Sequence, residues 1–341
     1  MGFQIDFQSL KPLALSLPTV STQLNWTDYW GTFKVRWGIG RDRYTVAPGL
    51  YKVGNPNSES NVFVSANYKL SFDALRKNLD LLNAWILVID TKGINVWCAA
   101  GKGTFGTENI IKSIKKTSLE SIVKHRTIIV PQLGAVGVAA HIVKKQSGFR
   151  VVYGPVHAKD IKAFIQAGYK ATVDMREMTF PMYDRAKLIP VDLMYGKYKL
   201  LIALIALFLL SGLDKTGFLF AKMLGTSLFP LINIVGAYLA GIVIAPLLLP
   251  WVPFRAFALK GAFWATAFTL ILNQFFNVSL MERIAMGLIN LSLASFMTMN
   301  FTGSSTYTSL SGVKKEMKWA VPCQIGFAVT GLVLFIISKL I

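Results

Sequence analysis

One stretch of this 341-residue chain gathers residue types that could do chemistry, the segment TKGINVWCAAGKGTFGT at 91–107. It is too long and too glycine-rich for a simple turn. Cys98 sits four residues before Lys102, after the apolar run WILVID. A cysteine placed there can act as a reactive or metal-ligating thiolate, whereas a lone cysteine elsewhere is more often a small buried hydrophobe. Gly101 to Gly106 spell G-x-G-x-x-G, but a dinucleotide fingerprint opens directly from its strand, and here about ten residues intervene, Trp97 and Cys98 among them. A phosphate-binding Walker loop is excluded, because Val96 stands where its first glycine belongs.

The elements that must position this segment follow from periodicity. NVFVSA, WILVID, TIIV and RVVY are short strand-like runs between residues 61 and 153, each followed by a loop and a helical pattern. Phe72, Leu75, Leu79 and Leu82 mark one helix face, and Ile110, Ile111 and Ile114 another. This alternation predicts an α/β domain over 61–196, with a Rossmann-like, mostly parallel sheet. Ligands of such sheets sit at the carboxyl ends of the strands, which directs attention to the loops after Ser65, Ile89, Val130 and Tyr153. Residues 1–60 contain a run of aromatics (Trp26, Tyr29, Trp30, Phe33, Trp37) and a Gly/Pro/Asn-rich stretch, and read as a covering arm without regular structure.

After Asp192 the composition turns apolar. Segments near 198–213, 226–250, 254–276, 284–303 and 320–338 approach the roughly 20 residues that span hydrocarbon, predicting an all-α transmembrane domain of about five helices over 197–341. Basic flanks (Lys197, Lys199, Arg255, Lys260, Lys314, Lys315, Lys318 against Lys215, Lys222, Arg283, Lys339) place the soluble domain in the cytoplasm and the carboxyl end outside. Asp214, Glu282 and Glu316 all fall at expected span ends, leaving no buried carboxylate for ion coupling, so a transporter is the weaker reading. Asn233, Asn273, Gln274 and Asn290 read as interhelical hydrogen-bonding groups.

The formal charge is +19, with Lys and Arg scattered in both halves and no nucleic-acid-binding motif, so no nucleic-acid partner is expected. Two cysteines, Cys98 and Cys323, cannot build a disulfide framework, a zinc site or an iron–sulfur cluster. Cys323 reads as a helix-packing residue. The first thirty residues show no export signal, and Asp6 stands where a myristoylation motif wants Ser or Thr.

Asn95 to Lys102, NVWCAAGK, resembles the cap-helix motif of the corrinoid protein of microbial mercury methylation. The likeness extends through ANYKLSFDALRK (66–77), HRTIIVPQLGAVGVAAH (125–141) and SGFRVVYGPVHAKDI (147–161). More distantly, the domain is similar to the corrinoid domain of the corrinoid iron–sulfur protein of acetyl-CoA synthesis, a family that lacks the cap cysteine. The resemblance implies a cobalt corrinoid (cobalamin), with Cys98 as both catalytic residue and lower axial cobalt ligand. It also implies a multi-pass protein of a bacterial or archaeal inner membrane, embedded in the lipid bilayer.

The activity implied is methyl transfer to thiol-bound Hg(II); the alternative is a methyl carrier of the acetyl-CoA pathway type. Hg(II) has no electron pair to offer, so the methyl group must leave with electrons, and a thiolate opposite it supports that polarity. A methyltetrahydrofolate-dependent protein would donate the methyl group, and a ferredoxin-like 4Fe-4S protein would supply electrons this chain cannot store. Asn95 would orient the cap, while Val96, Trp97, Ala99, Ala100, Gly101, Lys102 and Thr104 would lie against the macrocycle. Asn67, Gln132, Leu133, Gly134, Ala135, Gly154 and Pro155 would line the rest of the cofactor site by the strand-edge rule. The commoner cobalamin motif D-x-H-x-x-G is missing, since Val123, Ala139 and Pro155 precede the three histidines at the aspartate position.

Overall fold

A computed structural model describes residues 17–304 and 307–341. The chain divides into two compact units: Met1–Val35 with Ile39–Met178, and Arg36–Gly38 with Thr179–Ile341. The break thus falls ahead of the boundary read at 196.

In the first unit, strands β1 (Thr19–Val20), β2 (Gly49–Val53), β3 (Val62–Ala66), β4 (Ala84–Ile89), β5 (Thr127–Val130) and β6 (Arg150–Tyr153) form one sheet, ordered β1-β2-β4-β3-β5-β6. Every pair is parallel except β2 with β4. The four strands read from apolar runs stand where expected, and β3 and β4 are buried along their whole length. Continuous burial explains why they read as unbroken apolar stretches instead of alternating ones. The expected irregular arm is corrected: it supplies β1, β2 and the helix α1 (Trp26–Arg36). β2 was illegible because its GLYKV sequence lies in a Gly/Pro-rich context and is only partly buried.

Helices α2 (Lys69–Arg76), α3 (Val96–Lys102), α4 (Thr107–Lys116), α5 (Ala140–Ser147) and α6 (Ile161–Gln166) follow β3 to β6. α4 buries Ile110, Ile111 and Ile114 against one sheet face, in a core with Leu87, Ile89 and Val130. Phe72, Leu75 and Leu79 pack on the other face with Ile86, Val88 and Phe164. Leu79 and Leu82 lie beyond the end of α2, so their helical spacing reflects packing of the loop that follows it.

A buried charge cluster fastens α1 to α2. Lys69 Nζ donates to Asp28 Oδ1 and Asp73 Oδ2, both at 2.6 Å, while Arg76 donates to Asp73 Oδ1 and Asp28 Oδ2, both at 2.7 Å. Burial alone would raise the Asp28 pKa, but Lys69, the Asn25 backbone N–H and Arg76 together lower it to about 2. A carboxylate depressed in the fold contributes stability above its ordinary pKa and loses it as pH falls toward 2.

The second unit is helical. α7 (Ile189–Leu210), α8 (Leu228–Leu239), α9 (Phe257–Leu272), α10 (Leu280–Asn300) and α11 (Leu310–Leu340) occupy the five apolar regions, and α8 continues through a π-helical segment, Ala240–Ile244, to Leu247. Among the described residues, four helical stretches are long and apolar enough to cross a membrane; α9, at 16 residues, is shorter. α7 and α11 begin about ten residues before the expected spans, because polar residues such as Lys197 or Lys314 interrupt hydropathy without interrupting a helix. A two-strand hairpin (Leu213–Asp214 with Gly217–Phe218) replaces the expected end of the first span.

α10 is the hub of this unit. A Cβ on Gly241, Gly261 or Gly331 would lie within 2.8 Å of an α10 backbone oxygen, so α8, α9 and α11 all approach it closely. Asn290 Nδ2 donates to Asn233 Oδ1 (2.6 Å) and Thr269 Oγ1 (2.8 Å), the interhelical role expected for Asn233 and Asn290. Gln274, by contrast, bonds its own helix at Leu270 O. The expectation of no buried carboxylate is corrected: Glu282 is buried and pairs with Lys339 at 2.8 Å, and buried Glu316 accepts the Ala258 N–H at 2.6 Å. Cys323 is exposed on α11, so it does not pack inside the described bundle.

Replacing Arg76 with Ala leaves the buried carboxylates of Asp28 and Asp73 to share Lys69 alone. We expect a loss of about 3 kcal/mol, the lower end of the cost of breaking a buried ion pair, read as a lower denaturation midpoint of the purified chain at neutral pH.

Candidate functional site

The β4–α3 loop is held by one side chain. Asn67 Oδ1, at the end of β3, accepts the Thr91 N–H (3.0 Å), the Thr91 hydroxyl (2.8 Å) and the Gly93 N–H (3.0 Å). Lys92 and Gly93 both have positive φ, 57° and 71°, so the chain turns sharply there, at a conformation that suits glycine. α3 then starts at Asn95, whose Oδ1 accepts the Cys98 N–H at 2.9 Å as a helix cap. It stops at Gly103, which is left-handed at φ 79°.

α3 has two faces. Val96, Ala99 and Ala100 are buried, whereas Trp97, Cys98, Gly101 and Lys102 are exposed. The buried face seats on the 3-10 segment Gln132–Gly137 after β5: a Cβ on Gly137 would fall 2.4 Å from Phe105 O and 3.2 Å from Ala100 Cα, so only glycine permits this approach. On the exposed face, a Cβ on Gly101 would meet no heavy atom within 4 Å.

Beside α3 lies a cavity of about 360 Å³. Asn95, Val96 and Trp97 form one wall; Pro131 and Leu133, after β5, and Gly154, Pro155, Val156 and His157, after β6, form another. Phe63, Val64 and Ser65 of β3 and Ser71, Ala74 and Leu75 of α2 complete it. The lining is mainly apolar, with Ser65, Ser71, Asn95 and His157 as its polar side chains.

Six of the residues read from sequence therefore meet at this cavity: Asn95, Val96, Trp97, Leu133, Gly154 and Pro155. Asn67 does not line it; its amide is consumed in holding the loop, a role more remote than the contact expected of it. Gly134 also lies away from it, under the Phe105 ring, where a Cβ would be 2.5 Å from Phe105 Cε1. Gln132 and Ala135 belong to the same seat for α3, and neither lines the cavity. Thr104 follows α3, donating its N–H to Ala99 O at 2.9 Å, with its buried Oγ1 lacking a protein partner. Ser71, His157 and Ile161 line the cavity as well. Ser71 and Ile161 lie on helices that wall it from the side, outside the loops to which the strand-edge rule points, whereas His157 lies in such a loop, just beyond Gly154 and Pro155. His125 is structural, its Nε2 lying 2.9 Å from Ser60 O, and His141 is exposed.

The G-x-G-x-x-G string is split between a helix, its C-cap and the N-cap of α4, so no glycine loop opens from a strand. No group of three or more His, Cys, Asp or Glu side chains that could hold a metal ion occurs among the described residues. A corrinoid requires less of the chain, since the macrocycle itself supplies the equatorial donors. The arrangement fits it: a thiol in the first turn of a helix, small residues with open space at Gly101, and an apolar cavity next to them for an appended group.

Residues 40–165 match the family described as CO dehydrogenase/acetyl-CoA synthase delta subunit. The gamma subunit of the acetyl-CoA decarbonylase/synthase complex of Methanopyrus kandleri is 30% identical over 128 residues, covering 37% of this chain and 27% of that protein. The corrinoid/iron-sulfur protein large subunit of Moorella thermoacetica is 32% identical over 120 residues, covering 35% and 26%. Over this stretch the chain is similar to corrinoid proteins. It spans about a quarter of the length of these curated relatives.

Removal of the α3 cap by Asn95→Ala is expected to cost about 1 kcal/mol of local stability. Hydrogen exchange should show it as faster exchange of the Cys98 amide, with the amides of β4 unchanged.

Proposed function

We propose that the α/β unit holds a corrinoid against the exposed face of α3, and that the chain serves corrinoid-dependent methyl transfer from a membrane in which its apolar helices lie. The observation that carries this reading is the pairing of exposed Cys98 with the adjoining apolar cavity. When bound, the corrinoid would supply a cobalt-held methyl group for transfer. Cys98 would ligate the cobalt, Asn95 would fix the backbone that carries the thiol, and Trp97 would cover part of the macrocycle. Leu133, Gly154, Pro155 and His157 would enclose the appended group in the cavity. Gly134, Ala135 and Gln132 act one layer away, by seating α3.

For the methyl acceptor, the names of the relatives favour a methyl carrier of the acetyl-CoA type. A second reading, transfer to thiol-bound Hg(II) to give methylmercury, is supported by one feature, Cys98 within NVWCAAGK at an exposed first turn. As a strong donor, a Cys98 thiolate on the cobalt would suit an acceptor that takes the methyl group together with electrons. In either reading the partners proposed are a methyltetrahydrofolate-dependent methyl donor protein and a ferredoxin-like 4Fe-4S reductant, because two cysteines cannot hold a cluster.

Reconstituting the full chain with cobalamin tests the ligation. The wild-type ultraviolet–visible spectrum should differ from that of free base-off cobalamin, and Cys98→Ala should abolish the difference; identical spectra for the two chains would refute thiolate ligation while leaving binding intact. The acceptor is tested by adding a Hg(II)–thiol complex to the methylated chain. Loss of the methyl group with methylmercury as product supports the second reading, and retention of the methyl group supports the carrier.

A further inference from the structure

The aromatic face of α1 has no part in the site described above. The helix buries Asp28, Gly31 and Val35 and turns Trp26, Tyr29 and Trp30 outward, 77%, 58% and 49% exposed. The spacing of 26, 29, 30 and 33 keeps these rings on one side, where Trp30 stacks on Phe33 at 5.3 Å. Its only acidic residue, Asp28, points inward and is neutralised by Lys69 and Arg76. The outward face is therefore free of negative charge, and Lys34, Arg36, Arg41 and Arg43 stand on or just after the helix, with Asp42 between the last two.

We infer that α1 is an interfacial helix that lays Trp26, Tyr29 and Trp30 into the headgroup region of an anionic lipid surface. Trp and Tyr have an apolar ring and a polar edge, which suits the boundary between acyl chains and headgroups, and the basic residues complement anionic lipid. Chain continuity argues for lipid over a protein partner. The turn that ends α1, Arg36–Gly38, belongs to the helical unit, where a Cβ on Gly38 would lie 3.6 Å from Val191, in the first turns of α7. α7 is part of the first stretch long and apolar enough to cross a membrane. The inference rests on that membrane reading.

The test uses the full chain at one copy per nanodisc of phosphatidylcholine and phosphatidylglycerol, with and without lipids brominated near the glycerol end of their acyl chains. The Trp26→Phe/Trp30→Phe chain keeps an aromatic face while removing two of the eight tryptophans. The emission it loses relative to wild type should be blue-shifted and should be quenched in brominated discs. Lost emission that is red and unquenched, or blue and unquenched, would overturn the inference, the latter by showing those rings buried against protein. In both cases quenching of the remaining tryptophans, Trp251, Trp264 and Trp319 among them, keeps the membrane reading intact. If no tryptophan is quenched, the membrane reading fails and the inference with it.

Discussion

Three donors converge on the single oxygen Asn67 Oδ1, and the geometry of the site hangs on that convergence. The loop between β4 and α3 has two successive residues with positive φ. Without an acceptor the buried Thr91 N–H would be unpaired, which costs about 1–3 kcal/mol, and the half-buried Gly93 N–H would lose its partner as well. Asn67 supplies that acceptor from the end of a fully buried strand, so the loop inherits the rigidity of the sheet. The position of Asn95, and through its cap the position of Cys98, follows from this anchor.

The same logic appears on the opposite side of α3. Close seating on the segment after β5 requires glycine at 137 and small residues at 99 and 100, because backbone meets backbone there. On the exposed side Cys98 and Gly101 are also small, and no described heavy atom would lie within 4 Å of a Cβ at Gly101. A helix of only seven residues gains little stability on its own. Its place in the fold depends on the cap at one end, the left-handed Gly103 at the other and the seat beneath.

Much of this was legible in the sequence, and the reasons for success and failure are physical. β3 to β5 are buried strands, and burial on both faces writes itself as an uninterrupted apolar run. β2 is half-buried at a sheet edge region rich in Gly and Pro and leaves no such trace. Cys98 stands out because its type and its setting coincide. Asn67 stands at the strand edge and its amide holds the loop there, a duty the sequence does not write, since a polar residue after a strand reads the same whether it serves a ligand or the backbone. In the helical unit, composition pointed to the regions of α7 to α11, but it misplaced the starts of α7 and α11, where the helix begins in polar sequence.

The ion pair between Glu282 and Lys339 bears on how the helical unit is made. The two residues are 57 positions apart, one in the first turn of α10 and the other at the end of α11. Synthesis runs from the amino to the carboxyl end, so Glu282 leaves the ribosome long before the ammonium that neutralises it. A carboxylate without its partner is costly to remove from water. The buried place of Glu282 is therefore completed only by the end of α11, whose ammonium joins the two helices there.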